Sequence, residues 1–277
     1  MQANTARPAM RLGVSPFAAS QAAVERIAGA AVVGGLDTLW LGDGYLLTSD
    51  FPGWRGAMES FTTLGWLAGR FPTARLGITA AVLPMRDVPW VAKQANTLHR
   101  IAGGGFVLAA AAGFWRHDLE ARGVDFETRG SRFRDDVDDL RSRLDDPDVG
   151  PGPPPDGPVP IWLAGSTATM RFSVDREMPF QSSRATPSEL EPIAQQYFDA
   201  GGAMLAHRVR VTFGDSTVEG DRVAWHSVSG SVNQLVEELS RFAEMGVVDL
   251  SIIPGHDDAT ALTTVEVLAS DVLPQLS

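Results

Sequence analysis

The first stretch whose residue types suit chemistry is Gly42-Asp43-Gly44-Tyr45. It ends the apolar run Thr38–Leu41 abruptly and places a carboxylate between two glycines, with a phenol directly behind. Glycine and aspartate are common in turns, so an ordinary turn is one interpretation. The other is the rim of an active site, because folds built from parallel strands and helices carry their chemistry at the carboxyl ends of the strands. On that interpretation Asp43 and Tyr45 face a pocket.

A second candidate site follows the apolar run Pro160–Ala164, where the chain enters a short helical pattern through Gly165, Ser166, Thr167 and Thr169. The first N–H groups of a helix have no partner within it and lie at the positive end of its dipole, so they attract anions. The hydroxyl groups in this stretch add further donors. The pattern suits a phosphate, while simple N-capping of the helix by Ser166 is the alternative.

Small and aromatic residues mark a third candidate, the run Phe106–Gly113 and the residues that follow it. Four consecutive alanines stand near its end. Small side chains allow a flat ring to approach the backbone, although narrow barrel layers also use them. Trp115 and His117 should lie above the same pocket, with a solvated loop as the alternative. Arg184 follows the weak β-like run Met178–Ser182, where it would touch substrate or phosphate, or else form a surface ion pair.

Strand and helix patterns alternate along the chain, which predicts parallel strands joined by helical crossovers. Seven β-rich runs are legible, at Arg11–Ser15, Thr38–Leu41, Arg75–Leu83, Phe106–Ala112, Pro160–Ala164, Ala203–Phe213 and Val248–Pro254. A short, weak run at Met178–Ser182 is the candidate for an eighth strand. Eight strand–helix units in a chain of 277 residues match an α/β fold of the (β/α)8 TIM barrel type, usually ~250 residues long. An open doubly wound sheet is the alternative, although the first run is not followed by the Gly-x-Gly-x-x-Gly of a dinucleotide site.

Helical spacing and capping signals predict the elements that should position these runs. An apolar stripe runs from Phe133 to Leu144, with arginine and aspartate on the opposite face. Two later segments, Thr186–Glu189 and Ser231–Gln234, have the form of capping boxes, so a helix should begin at each.

Composition excludes several classes of protein. With 23 basic and 34 acidic residues the net charge is −11, which opposes binding to nucleic acid or to an anionic membrane surface. There is no cysteine for disulfides or thiolate chemistry, and the five histidines are too dispersed for a metal site. No apolar run is long enough to span a bilayer. We expect a cytoplasmic protein without a metal, with a disordered tail at residues 1–9 and a single domain at 10–277.

Several blocks of sequence occur in a recognisable order. They are V-G-G-L-D-T-L-W-L-G-D, R-L-G-I-T-A-A-V-L-P, V-P-W-V-A-K-Q-A-N-T-L-H-R-I-A-G-G-G-F-V-L, A-A-A-A-G-F-W-R-H-D-L-E-A-R-G-V-D-F-E-T-R-G-S-R-F and V-P-I-W-L-A-G-S-T-A-T. In order and spacing, over residues 10–170, they resemble the luciferase-like monooxygenase family. The final helix and strand, Ser231–Gly255, fit this resemblance as well.

This resemblance implies a barrel that binds reduced FMN or the 5-deazaflavin coenzyme F420 at the carboxyl ends of its strands, with a shortened insertion late in the barrel. The reactions it implies on a small organic substrate are oxygen-dependent monooxygenation or direct hydride transfer. It also implies a homodimer formed through the helices around the second and third strands, and a flavin reductase that supplies reduced cofactor.

The resemblance also assigns residues to the cofactor. It implies a bulge at Thr79–Ala81, often with a cis peptide bond, against the ring. The cofactor-binding set it implies is Thr79, Ala80, Ala110, Ala112, Gly113, Gly165, Ser166, Thr167 and Thr169, with Trp115 and Arg184 for the substrate. Ser166 and Thr169 correspond to family positions that contact the cofactor phosphate.

Three departures from the family pattern separate two functional hypotheses. The family acid at the end of the second strand is kept as Asp43, but Gly44 stands where a histidine commonly follows. Either Tyr45, His117 or another polar group then takes over proton transfer, or the chemistry of this protein differs. Arginines found in the family at Ala112 and Gly105 are also missing. A flavin- or deazaflavin-dependent oxidoreductase is the first hypothesis. The alternative is a degenerate, non-catalytic barrel that acts as a flavin-binding or assembly protein.

Overall fold

Parallel strands follow the apolar runs of the sequence and close into a barrel surrounded by helices. The computed structural model describes residues 9–16, 20–44, 58–145, 148, 157–214 and 227–276. Within them the strands are β1 (Arg11–Val14), β2 (Thr38–Leu41), β3 (Arg75–Val82), β4 (Phe106–Ala111), β5 (Ile161–Ala164), β6 (Phe180–Ser183), β7 (Leu205–Phe213), β8 (Ser227–Gly230) and β9 (Val247–Pro254). The helices are α1 (Gln21–Val33), α2 (Ser60–Arg70), α3 (Val88–Ile101), α4 (Arg116–Ala121), α5 (Arg129–Asp145), α6 (Thr167–Asp175), α7 (Pro187–Asp199), α8 (Val232–Glu244) and α9 (Asp258–Val267).

The strand order confirms the predicted (β/α)8 barrel and excludes the open sheet. Neighbouring strands run β6-β5-β4-β3-β2-β1-β9-β7, and β6 also pairs with β7, which closes the ring of eight parallel strands. One further strand, β8, lies outside this ring and was not predicted. It pairs with Arg210–Phe213, the part of β7 that lies beyond its ladder with β6.

The predicted helical stripes and capping boxes are present. Phe133, Val137, Leu140 and Leu144 are all buried in the core between the barrel and its helices. Each capping box has its reciprocal hydrogen bonds: the backbone N–H of Thr186 donates to Glu189 at 2.8 Å, and that of Ser231 donates to Gln234 at 2.9 Å. The helix starts were therefore readable from local sequence alone.

The barrel interior is filled at its amino-terminal end and open at the other. Trp40 is fully buried inside, tilted against Trp162 with 5.4 Å between ring centroids. Below them Asp249 of β9 binds Arg75 of β3 at 2.7 Å and Arg11 at 3.1 Å, an ion-pair network that crosses the interior. These residues fill the amino-terminal half of the interior, and the described part of the chain leaves space for a ligand toward the carboxyl ends of the strands, where barrels of this kind carry their sites.

A buried histidine on the outer face of β7 is expected to make the barrel sensitive to acid. His207 is fully buried, donates from Nε2 to the Ala185 carbonyl at 2.9 Å and packs on Phe242. Burial lowers its pKa to about 4. Between an ordinary pKa of ~6.5 and the lowered pKa, the unfolded chain takes up a proton and the folded protein does not. Lowering the pH through this range should therefore decrease the free energy of unfolding by up to ~3 kcal/mol.

The measurement is urea unfolding at several pH values between these two pKa values. His207→Gln keeps a donor for the Ala185 carbonyl but removes the titrating ring, so its unfolding free energy should vary less with pH in this range. His117→Gln is the control, because the His117 side chain is exposed. An unchanged pH dependence in His207→Gln would show that other groups cause the acid sensitivity.

Candidate functional site

A cavity of about 410 Å³ lies at the carboxyl ends of β2 to β7. Most of the residues predicted from sequence to form the site line it: Asp43, Thr79, Ala80, Ala112, Gly113, Trp115, Gly165, Ser166, Thr169 and Arg184. Thr167, Ala110 and His117 do not line this cavity, and Tyr45 lies outside the described residues. The sequence-predicted residues therefore gather at one end of the barrel and make up about half of the lining of this cavity.

One wall of the cavity is apolar and built from small side chains. It is formed by the end of β4, where Ala111, Ala112 and Gly113 follow one another, and by Ala80 and Val82 of β3. Successive side chains of a strand point to opposite faces. Ala109 and Ala111 accordingly lie inside the barrel, whereas Ala110 is fully buried in the outer core against the helices. The Ala110 side chain therefore points away from the cavity, and its predicted contact with a cofactor ring is not supported.

The strand β3 has the irregularity that the family resemblance implies. Its ladder with β4 shifts register between Thr79 and Ala81, and the peptide bond between Thr79 and Ala80 is cis. The shift turns both Thr79 and Ala80 toward the cavity, next to the small residues of β4. Together the two strands present a wall on which most of the side chains are small.

Asp43 lines the cavity, but its carboxylate is already engaged. One oxygen accepts from the Val82 N–H at 3.0 Å and from Arg86 Nε at 2.8 Å, and the other accepts from a second Arg86 nitrogen at 2.5 Å. Burial alone would lower the pKa of Arg86, but its hydrogen bonds to Asp43 and Glu59 raise it. The pair is charged and joins the end of β2 to the turn after β3. Asp43 thus has the geometry of a positioning residue for that turn.

The helix α6 begins at the opposite side of the cavity. Ser166 is its N-cap residue, yet its side chain makes no capping hydrogen bond. The N-capping alternative therefore does not account for the exposed hydroxyl. A Cβ added at Gly165 would lie 2.6 Å from Thr169 Oγ1, so glycine allows the chain to pass close to that hydroxyl. Hydroxyl groups and the N-terminus of a helix together form a site for an anion.

A buried polar group forms the floor of the cavity between these walls. Thr79 donates from its hydroxyl to Gln181 Oε1 at 2.6 Å, and Arg208 donates to the Thr79 carbonyl. Burial lowers the pKa of Arg208 to about 9, and the charges of Arg184 and Arg210 contribute. Neither Gln181 nor Arg208 was identified from sequence. A signal existed for the second, since Arg208 and Arg210 alternate with apolar residues and must share one face of the strand.

Aromatic and cationic side chains form the rim. Phe114 and Trp115 follow β4 with 4.4 Å between their ring centroids, and the Arg184 guanidinium lies 3.8 Å from the centroid of Phe114. Burial lowers the pKa of Arg184. Arg129 donates to the Gly113 carbonyl at 3.0 Å on the other side of the rim. His117 is exposed on α4, while its neighbour Asp118 is buried and lines the cavity.

Two kinds of feature are absent from the described residues. Among residues 9–276 outside the undescribed gaps, no group of three or more histidine, cysteine, aspartate or glutamate side chains is arranged to hold a metal ion. No helix in the same part of the chain is long and apolar enough to cross a membrane.

Comparison with known sequences identifies one family. The sequence model for luciferase-like monooxygenases matches residues 5–211. Uncharacterized proteins of Mycobacterium tuberculosis and Mycobacterium bovis are 25% identical over 146 residues, which is 48% of this chain and 51% of theirs. The match thus spans about half the length of these curated relatives.

Comparison with solved structures shows the same fold. The monooxygenase RslO1 from Streptomyces bottropensis superposes with a TM-score of 0.78 at 15% identity, over 97% of this chain and 100% of its own. An F420-dependent secondary alcohol dehydrogenase in complex with an F420-acetone adduct gives 0.78 at 14% identity, over 97% and 99%. The oxygenating constituent of 3,6-diketocamphane monooxygenase from Pseudomonas putida, in complex with FMN, gives 0.72 at 15%, over 96% and 98%. At these identities the likeness establishes the architecture only.

Proposed function

The chain belongs to the luciferase-like monooxygenase family, and from this premise we propose that it is a flavin- or deazaflavin-dependent oxidoreductase acting on a small organic substrate. One observation carries the proposal: the small-residue wall of β3 and β4 and the start of α6, with its unused Ser166 hydroxyl, border the same cavity. A flat ring that carries a phosphate on a flexible chain fits that combination, and flavins and deazaflavins share this chemistry.

The residues of the site fit such a cofactor part by part. Ala80, Ala111 and Ala112 leave room for the ring to lie against the backbone. Ser166 and Thr169, with the first N–H groups of α6, would hold the phosphate. Gln181 has a buried amide nitrogen without a hydrogen-bond partner and lines the cavity, so a hydrogen-bond acceptor on either the cofactor or the substrate would satisfy it.

The work of the protein in this reaction is binding, orientation and exclusion of water. When bound, the cofactor would supply either direct hydride transfer or reaction with oxygen. Phe114 and Trp115 shield the cavity from one side, and Arg86 holds Asp43 so that the turn after β3 keeps its shape. Proton transfer by Asp43, Tyr45 or His117 remains a prediction from the sequence. Of these, His117 is exposed and Asp43 is bound to Arg86.

Two solved structures with this fold, each with a different cofactor of the proposed class, support the proposal. One was solved with an F420 adduct and the other with FMN, and both share this barrel. We propose that one of these two cofactors binds here. A cytoplasmic homodimer supplied with reduced cofactor by a reductase is the accompanying proposal.

The alternative function is a non-catalytic barrel that binds a flavin or assembles with a partner. The absence of the family histidine at Gly44 favours it. The cavity and the unused Ser166 hydroxyl favour a barrel that still binds a ring, which is what the oxidoreductase requires.

The deciding experiment is a titration of the protein with FMN and with F420, each oxidised and reduced. We expect one cofactor to bind tightly and Ser166→Ala/Thr169→Ala to weaken it by at least about 100-fold. The reason is that each hydroxyl lost from a charged phosphate costs about 1.5–3 kcal/mol. Calorimetry or cofactor fluorescence gives the dissociation constants.

The matched control is Ser142→Ala/Thr97→Ala, which also removes one serine and one threonine hydroxyl group, but from exposed positions on α5 and α3. It should bind cofactor like the parent protein. If neither cofactor bound the parent protein in either redox state, the oxidoreductase proposal would be wrong, and a non-catalytic barrel that assembles with a partner would be the alternative that stands.

A further inference from the structure

The barrel interior contains a polar chamber directly beneath the cavity. Alternation along β7 places Ala206 inside the barrel, and Arg208 therefore points to the same side. On β9 the inward position is fixed by Asp249, which binds Arg75 across the interior, so Ser251 also points inward. Arg208 and Ser251 are partners in the ladder between these strands. Gln181 of β6 completes the chamber through its contact with Thr79.

Two side chains in this chamber have polar atoms that the folded chain leaves unsatisfied. Gln181 is 1% exposed, and its Nε2 has no hydrogen-bond partner although its Oε1 accepts from Thr79. Ser251 is fully buried, and its hydroxyl has no partner either. Buried polar groups are nearly always paired in folded proteins, so the unpaired amide of Gln181, which lines the cavity, points to a ligand or to water held there.

The charges of the residues that line the cavity favour an anion over water as the ligand. Among the described residues that line the cavity, the cations are Arg129, Arg184 and Arg208, and the carboxylates are Asp43 and Asp118. The charge of Asp43 is compensated by Arg86, which does not line the cavity itself. The cavity is thus cationic although the whole chain carries −11.

The cations concentrate at one end of the cavity. The backbone N–H of Arg184 donates to the Arg208 carbonyl at 3.0 Å, so Arg184, directly after β6, lies beside Arg208 of β7. Burial lowers the pKa of Arg208 to about 9, and repulsion by the charges of Arg184 and Arg210 contributes. A bound anion would relieve this repulsion and supply acceptors for the Gln181 amide.

We propose that Arg184, Arg208 and Gln181 bind the anionic head group of the substrate, a carboxylate or comparable oxyanion on an organic molecule. Calling this ligand the substrate rests on the proposed function. The site is separate from the phosphate site, since Ser166 and Thr169 follow β5 whereas Arg208 lies on β7, beyond β6. The edge of a reduced cofactor ring also carries negative charge and could bind these arginines instead. The experiment distinguishes the substrate anion from the reduced ring.

The experiment measures binding of small anions by calorimetry, with and without saturating cofactor. The probes are acetate, benzoate and methanesulfonate, each compared with its uncharged amide of similar shape. At least one anion should bind about tenfold or more tightly than its amide. Arg208→Gln and Gln181→Leu should each weaken that anion by about tenfold or more.

Arg129→Gln is the matched control, because Arg129 also lines the cavity but donates to the Gly113 and Phe126 carbonyls. Its effect should stay within about threefold. Arg184→Gln gives an independent test if Arg208→Gln fails to fold, since Arg184 is only half-buried.

Three outcomes would overturn the proposal: no binding of any anion, equal binding of anions and amides, or equal binding by the parent protein and the arginine variants. If Arg208→Gln weakened reduced cofactor alone and left anion binding unchanged, the cation would serve the ring and the substrate assignment would be wrong. Anion binding that depends on Arg208 in a protein that binds neither cofactor would retain the site and reject the proposed function.

Discussion

Replacing Gly77 by alanine is expected to destabilise the barrel by about 3 kcal/mol or more, the upper part of the range for an overpacked core. A Cβ built at Gly77 would overlap Cζ3 and Cε3 of Trp40, and one built at Gly13 would lie 2.5 Å from its Nε1. Trp40 is fully buried and is held on another side by Trp162. The indole therefore has no open space into which it can move, and the strands must separate instead.

Urea unfolding of Gly77→Ala measures this effect, with Gly65→Ala as the control. Nothing lies within 4 Å of a Cβ at Gly65, which is in the middle of α2, so alanine there should stabilise the protein by about 0.5–1 kcal/mol. Trp40→Leu should cost less in the Gly77→Ala protein than in the parent, because it removes the overlap. A Gly77→Ala protein as stable as the parent would show that the interior is not close-packed around Trp40.

The fold was predictable because its signals are local. Each barrel strand is a short apolar run followed by a helical stripe, and the stripe from Phe133 to Leu144 is buried as its spacing predicts. The strand β8 was missed for the opposite reason. Its sequence, Ser227–Gly230, has a single strongly apolar residue, and the strand exists because β7 extends beyond β6 and offers unpaired backbone groups. That condition arises only after the barrel has closed.

The candidate site was predictable where it follows directly from strand ends. Gly165–Thr169 and Ala112–Gly113 come immediately after apolar runs, and most of these residues line the cavity. The floor was not predictable, because the contact of Gln181 with Thr79 and that of Arg208 with the Thr79 carbonyl join residues more than 100 positions apart. The weak pattern of β6 gave no indication that Gln181 faces inward.

The same limitation applies to Asp43. From sequence it was a carboxylate at the end of a strand, which suggested proton transfer. Its partner Arg86 is 43 residues away and belongs to the turn after β3, so the pairing depends on the neighbourhood of β2 and β3 in the barrel. In the structure Asp43 binds two donors from that turn. Its position therefore indicates that it controls the shape of the β3 side of the cavity.

Asp43→Asn is accordingly expected to lower the unfolding free energy by about 1–3 kcal/mol, the cost of weakening buried hydrogen bonds to a charged group. Arg86→Gln should give a similar loss, and the double variant should lose less than the sum because both changes break one interaction. Cofactor affinity should fall in the same proteins, since Val82 and the turn that bind Asp43 border the ring wall. Urea unfolding and cofactor titration give the two quantities.

Asp138→Asn is the control for geometry, because Asp138 also binds an arginine through two hydrogen bonds, with Arg176 at 3.0 and 2.6 Å, but both side chains are exposed. An exposed pair of this kind contributes little, so stability should hardly change. A proton-transfer role for Asp43 gives a different pattern: Asp43→Asn would lose turnover with stability and cofactor affinity unchanged, and Arg86→Gln would retain turnover. If Asp43 positions the turn, Asp43→Asn and Arg86→Gln should have similar effects. If Asp43 transfers a proton, their effects on turnover should differ, so the two variants decide between a positioning role and a catalytic role.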